Sequence, residues 1–353
     1  MRLLRSIQKR FSGKHSEKIR DLLRIRADCL ALCERNDPLI RFIDDSLNYF
    51  RRRCWLGNDI LKRLGVHIPE LPHFGLPGIV AKIDGYDLEK DIRIDRDSVV
   101  VGDIWLPKPH EGEDTAIFDM ELNDFVLPYF LRRRLEGFDE KHERLYNVLK
   151  SFCWLEGPYE LDDDVAVCPG DVVIDCGANM GLFSALVAQD DCRVFAFEPI
   201  PLVIDNYLSV TAANYPTITI CRQALWDKKE ELLFKVSLQN IGASTAIAGK
   251  TMEQHVDVRV EAITLDDFVD QHNLKRIDFI KADIEGAERN MLRGAKNVLR
   301  TFAPKLSICT YHLPDDPQVL REIILEANPN YRIVEKYMRL YAYVPNANEK
   351  RSA

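Results

Sequence analysis

From about residue 155 onward, short apolar runs alternate with stretches whose apolar residues recur at helical spacing. This alternation constrains the fold more than any other feature of the chain. Five runs read as strands: VVID (172–175), RVFAFE (193–198), ITICRQ (218–223), IDFIKAD (277–283) and KLSICTY (305–311). Between the first two lie Phe183, Leu186 and Val187, and between the second and third one helical face carries Val203, Ile204, Tyr207, Leu208 and Thr211. After the fourth run, Met291, Leu292, Ala295, Val298, Leu299 and Phe302 give the cleanest helical stripe. Strands alternating with amphipathic helices predict βα units on a parallel sheet. Thr264, with Asp267 three residues on, is a capping pattern that opens a helix before the fourth strand. LLFKV (232–236) and VDVRVEAI (256–263) alternate in polarity and read as antiparallel additions, and YRIVEKYMRLYAYVP (331–345) as a closing hairpin. The expectation is a doubly wound, mostly parallel α/β sheet with helices on both faces and an antiparallel edge strand.

The first 150 residues have another texture. Helical faces are expected over 17–35 and 39–54, followed by the Pro- and Gly-rich connector GVHIPELPHFGLPG (65–78). Apolar bursts at 79–83 and 98–106 suggest short strands, and 114–152 reads as mostly helical with a break or kink at Pro128. We therefore expect two parts: a largely helical region 1–150 that recognises acceptor, covers the site or mediates homo-oligomerisation, and a catalytic domain 151–353. The first 26 residues hold nine Lys or Arg against Glu17 and Asp21. Such a segment can meet an anionic membrane surface, although a solvated helix face is its more ordinary use.

Composition removes several classes. The net charge of −8 argues against nucleic acid as a partner. No run approaches the ~18 apolar residues of a membrane helix, and no apolar signal core follows Met1, so a cytoplasmic protein is expected. Nine scattered cysteines without a CxxC pair read as reduced thiols, and the eight histidines form no zinc-binding spacing.

In an open parallel sheet, ligands bind beyond the carboxyl ends of the strands. Here those ends are polar. The first stops at Asp175 and runs into Gly177, Ala178, Asn179 and Gly181; the second stops at Glu198–Pro199; the third near Gln223–Ala224; the fourth at Asp283, Glu285 and Glu288; the fifth near Tyr311–His312. The dinucleotide fingerprint GxGxxG is missing, and an acid at Asp175 would repel a phosphate. Glu198 lies 23 residues beyond Asp175, where such folds place the acid that takes ribose hydroxyls. Acids at both tips with glycines between them favour S-adenosylmethionine over NAD. Gln223 is placed to bond the adenine edge and Ala224 to leave room for the ring. Asp283 is a candidate for the base or for orienting the cofactor, and His312 is a second candidate base. Asp283, Glu285 and Glu288 can hold a divalent ion or none. NIGAST (240–245) reads as a loop over the cleft or as plain surface. The competing readings are an NAD-dependent oxidoreductase or epimerase and a non-catalytic scaffold that binds cofactor.

The motifs GDVVIDCGANMGLFS, FEP, TLDDF and IDFIKADIEGAE resemble the FkbM-type S-adenosylmethionine-dependent methyltransferases over residues 155–345. The resemblance implies a class I, Rossmann-like methyltransferase fold and O-methylation of a sugar or natural-product hydroxyl on a small-molecule or glycan acceptor. It implies cofactor binding by Asp175, Gly177, Asn179, Gly181 and Glu198, with Asp283 and Glu285 lining the reaction centre.

Overall fold

The structure, a computed structural model, describes residues 91–108, 159–161, 164–237, 255–336 and 338–345. The helical readings at 17–35, 39–54 and 114–152, the connector, the burst at 79–83, the basic segment 1–26 and NIGAST lie outside these residues. All described residues fall in one compact unit, Asp91–Arg134 with Trp154–Ala353.

Within that unit, β4 (Val172–Cys176), β5 (Arg193–Phe197), β6 (Ile218–Cys221), β10 (Phe279–Ala282) and β11 (Lys305–Cys309) are the five expected parallel strands. With the closing hairpin, β12 (Arg332–Lys336) and β13 (Arg339–Tyr343), they form a seven-stranded sheet in the order β12-β13-β11-β10-β4-β5-β6. Strand β13 runs antiparallel to both of its neighbours, β11 and β12. The antiparallel strand is thus inserted next to the edge. A dinucleotide-binding sheet of the doubly wound kind lacks such an insertion; this order is that of the class I methyltransferases.

The central strands are apolar because helices cover both faces. β10 and β11 are buried along their whole length. The helices are α1 (Leu182–Ala188), α2 over 201–214, α3 (Leu265–Gln271), α4 (Glu288–Arg293), α5 (Lys296–Thr301) and α6 (Asp316–Ala327). One core joins Phe195 and Phe197 of β5 to Phe268 of α3, with ring centroids 5.3 and 4.8 Å apart, and continues through Met291, Leu299 and Leu320. Helix α2 includes a π-helical stretch, Ile204–Leu208, and buries the expected face Val203, Ile204, Tyr207, Leu208 and Thr211. Thr264 caps α3 by accepting from the Asp267 N–H at 3.0 Å.

Two features depart from the sequence reading. The two alternating stretches are not additions to the large sheet. They form β8 (Glu230–Ser237) and β9 (His255–Ile263), which with β7 (Ala224–Leu225) make a sheet of their own in the order β7-β9-β8. Its inner residues, among them Phe234, Val236 and Val260, pack on Ile200 and Val203. The stripe after the fourth strand is two helices, because α4 ends where Gly294 meets the Trp226 carbonyl: a Cβ there would lie 2.0 Å from that oxygen. Asp266 then caps α5, accepting from the N–H groups of Asn297 and Val298 at 2.9 Å each. The burst at 98–106 forms strands as read: β2 (Ser98–Val101) and β3 (Ile104–Pro107), with β1 (Ile92–Ile94), make a small antiparallel sheet that belongs to this unit and packs on α1 and α2. Tyr215 accepts from the Trp105 N–H at 2.7 Å and donates to the Trp105 carbonyl at 2.9 Å.

Candidate active site

The chain leaves β4 through a loop with three left-handed residues, Gly177 (φ 74°), Asn179 (φ 49°) and Gly181 (φ 84°). At Gly177 the reason is contact as well as dihedral: a Cβ would lie 2.0 Å from the Asp283 carbonyl oxygen. The loop after β4 and the loop after β10 are therefore pressed backbone to backbone, and the second has its own left-handed pair, Glu285 and Gly286. The N–H groups of Gly177 and Ala178 both donate to the Phe197 carbonyl, tying the loop to the end of β5. Glu198 completes that tie. One carboxylate oxygen accepts from the Asn179 N–H at 3.1 Å and the other from the Ile200 N–H at 3.0 Å. Glu198 is only 6% exposed. Burial pushes its carboxyl up to about 7, against the pull of the two N–H groups.

Beneath the loop sits a buried ion pair. Asp175 and Lys281 are register partners on β4 and β10, and Lys281 Nζ lies 3.0 Å from Asp175 Oδ1. Ser184 donates to the other Asp175 oxygen at 2.7 Å. Lys281 also donates to the Gly177 carbonyl at 2.6 Å. Burial alone would lower Lys281, but Asp175 and Asp283 hold it above its ordinary value. Asp175 is fully buried, so its charge is spent on Lys281 rather than presented at a surface.

Asp283, two residues beyond Lys281, is the partly open member, with its side chain 17% exposed. Tyr159 and Tyr311 donate to its two oxygens, each at 3.2 Å. Arg339, from β13, lies 3.9 Å from Asp283 Oδ2 and stacks over the Tyr159 ring at 4.0 Å. Burial would raise the Asp283 carboxyl, but Arg339, Lys281 and His312 hold it below the usual carboxylate range. His312 is ringed by acids: Nδ1 lies 3.0 Å from Glu288, and Nε2 lies 3.8 Å from Asp283 and 3.7 Å from Glu285. Burial lowers His312, but Glu285 and Glu288 outweigh it and push the imidazole up to about 10.

The remaining expected residues lie elsewhere. Pro199 and Gln223 line a cavity of about 480 Å³ beyond the ends of β5 and β6, together with Arg222, Arg259, Phe268 and His272. Ala224 is buried in β7, paired with Ala262, and packs in the core of the small sheet. The structure thus joins Asp175, Gly177, Ala178, Asn179 and Glu198 in one loop assembly, and Asp283, Glu285 and His312 in a second that touches it. Lys281, Ser184, Tyr159 and Arg339 are members that the sequence reading missed. Lys281 alone had a signal, since side chains two apart on a strand share a face.

A sheet in this order, with acids and glycine turns at its carboxyl ends, has the class I methyltransferase fold. Residues 175–345, just under half of the chain, match the family model described as the methyltransferase FkbM domain. Among curated relatives, Methyltransferase 1 of Beauveria bassiana (strain ARSEF 2860) is 28% identical over 152 residues, 37% of this chain and 61% of its own length. The hexuronic acid methyltransferase AglP of Haloferax volcanii is 24% identical over 165 residues, 47% of this chain and 66% of its own. The chain thus spans less than two thirds of the length of these relatives. Among solved structures, the methyltransferase FkbM of Methylobacillus flagellatus KT is 22% identical, covering 65% of this chain and 60% of its own at a TM-score of 0.40.

Proposed function

We propose that the protein transfers a methyl group from S-adenosylmethionine to a hydroxyl of a sugar or natural-product acceptor. The observation that carries this reading is the interlock of the two loops, Gly177 against Asp283, with Glu198 beside the first and Asp283 open at the second. Each Glu198 oxygen accepts one backbone N–H and keeps a lone pair for a ribose hydroxyl. Asp283, held ionised, faces the place where a sulfonium would sit. Asp175 then acts from beneath, fixing Lys281 and the loop rather than touching the cofactor.

S-adenosylmethionine, held by the loop after β4 and by Glu198, would supply an electrophilic methyl group for the acceptor oxygen, with the sulfur keeping the bonding pair as a thioether. The hydroxyl proton passes to Asp283. With its pKa raised to about 10, His312 is a cation at neutral pH in the ion-free protein, so it holds the acids in place instead of taking that proton. Positioning supplies up to about 7–11 kcal/mol of the barrier and a base about 10²–10⁴-fold. The name of the Haloferax relative, a hexuronic acid methyltransferase, favours a sugar acceptor. The test is incubation of the full chain with isotopically labelled S-adenosylmethionine and a panel of hexuronic acid glycosides and other polyols, read by intact mass. Gain of one labelled methyl on oxygen supports the reading. Cofactor binding without transfer to any acceptor would instead favour a non-catalytic scaffold.

A further inference from the structure

We propose that Asp283, Glu288 and His312 form a binding site for one divalent cation of the magnesium and manganese class. Donor atoms of these three residues lie within 4.8 Å of one another. Two ligands of one ion at about 2.1 Å stand at most about 4.2 Å apart, so side-chain shifts of a few tenths of an ångström complete the site.

Two further observations point to a ligand. Glu288 is fully buried, and its Oε2 has no hydrogen-bond partner. The His312 side chain is 3% exposed, and neither ring nitrogen makes a hydrogen bond, although Nδ1 is 3.0 Å from Glu288 Oε1. Buried polar atoms in folded proteins are nearly always bonded. The 3.8 Å between Nε2 and Asp283 Oδ1 is too long for a hydrogen bond and suits two atoms that share an ion. Asp283 is oriented for the task. Its Oδ2 faces Tyr159 and Arg339, and its Oδ1, which accepts one hydrogen bond from Tyr311 at 3.2 Å, lies on the His312 side with a lone pair to spare.

The charges agree. Four carboxylates, Asp175, Asp283, Glu285 and Glu288, face two fixed cations, Lys281 and Arg339. Four minus two leaves two negative charges among these fixed groups, the sign that a cation site needs. Two carboxylates and one imidazole leave positions for water or an acceptor oxygen, a donor set suited to manganese or magnesium rather than to a closed zinc site. That the open positions take an acceptor hydroxyl rests on the O-methylation reading; the ion site itself does not.

The test uses the full chain after chelator treatment, titrated with Mn²⁺ while free Mn²⁺ is followed by electron paramagnetic resonance. One saturable site per chain is expected, weakened about 10–100-fold in His312→Ala and in Glu288→Gln. Electron spin-echo modulation of Mn²⁺ bound to the unmodified protein should show one ¹⁴N coupling from an imidazole, a readout that does not depend on either variant folding. Absence of a saturable site, or a bound ion without ¹⁴N coupling, overturns the proposal. Calorimetry with S-adenosylhomocysteine on the same preparation reports separately on the cofactor reading, so the two can fail independently.

Discussion

The inner and outer strand ends of the large sheet are built in opposite ways. At β4 and β10 the tips are tightly packed, Asp175 paired with Lys281 and Gly177 pressed on Asp283, with only Asp283 and Glu285 partly open. At β5 and β6 the tips open onto a cavity of about 480 Å³ whose lining includes Pro199, Arg222 and Gln223. Glu198 stands at the junction, bonded into the inner loop while ending the outer strand. Fixed charges act most strongly where nothing reorganises, whereas recognition of a variable group needs room. On the proposed function, chemistry falls to the inner tips and shape selection to the outer ones.

Substitutions at the inner tips should therefore cost stability and those at the outer tips should not. Lys281→Met leaves Asp175 buried without its cation, and we expect a loss of about 3–5 kcal/mol, read by urea denaturation. Gly177→Ala forces a Cβ into the Asp283 carbonyl at a φ of 74°, for roughly 2–5 kcal/mol in the same assay. Thr264→Ala, which removes the α3 cap away from both tips, should cost about 0.5–2 kcal/mol. Gln223→Ala, on the cavity wall, should stay within about 0.5 kcal/mol of the parent. A Gln223→Ala loss as large as that of Lys281→Met would erase the contrast.

Glu198 sharpens the comparison through pH. Its folded pKa is raised from 4.5 to about 7. The stability it contributes is thus fully present below about 4.5 and is lost as pH rises through about 7. Binding of a ribose should run the other way, strengthening over the same window as the carboxylate ionises. Parallel denaturation and calorimetry from pH 5 to about pH 8 check both slopes, and Glu198→Gln should flatten them.

Much of this was readable in the sequence because it depends on local pattern. The five parallel strands, the α2 face and the Thr264 cap follow from apolar period and capping chemistry. Asp175, Glu198, Asp283 and His312 stood out as polar residues at strand ends. What escaped depends on register and long-range contact. Lys281 becomes the partner of Asp175 only once β10 is paired with β4. Arg339 arrives from the last hairpin, and Tyr159 from a segment without any motif. Ala224 looked like space for a ring, but β7 pairing makes it core. The glycine at 177 signalled a close approach, and the neighbour it meets is the protein's own Asp283.

The central claim, that the inner loop and Glu198 together form a methyl-donor site, is tested most directly by calorimetric titration of the full chain and of Glu198→Ala with S-adenosylhomocysteine and with NAD. The account predicts one S-adenosylhomocysteine per chain and no comparable NAD binding. It also predicts a loss of about 1.5–3 kcal/mol in Glu198→Ala, roughly ten- to 150-fold in Kd. Equal binding of NAD, or S-adenosylhomocysteine affinity untouched in Glu198→Ala, would contradict it.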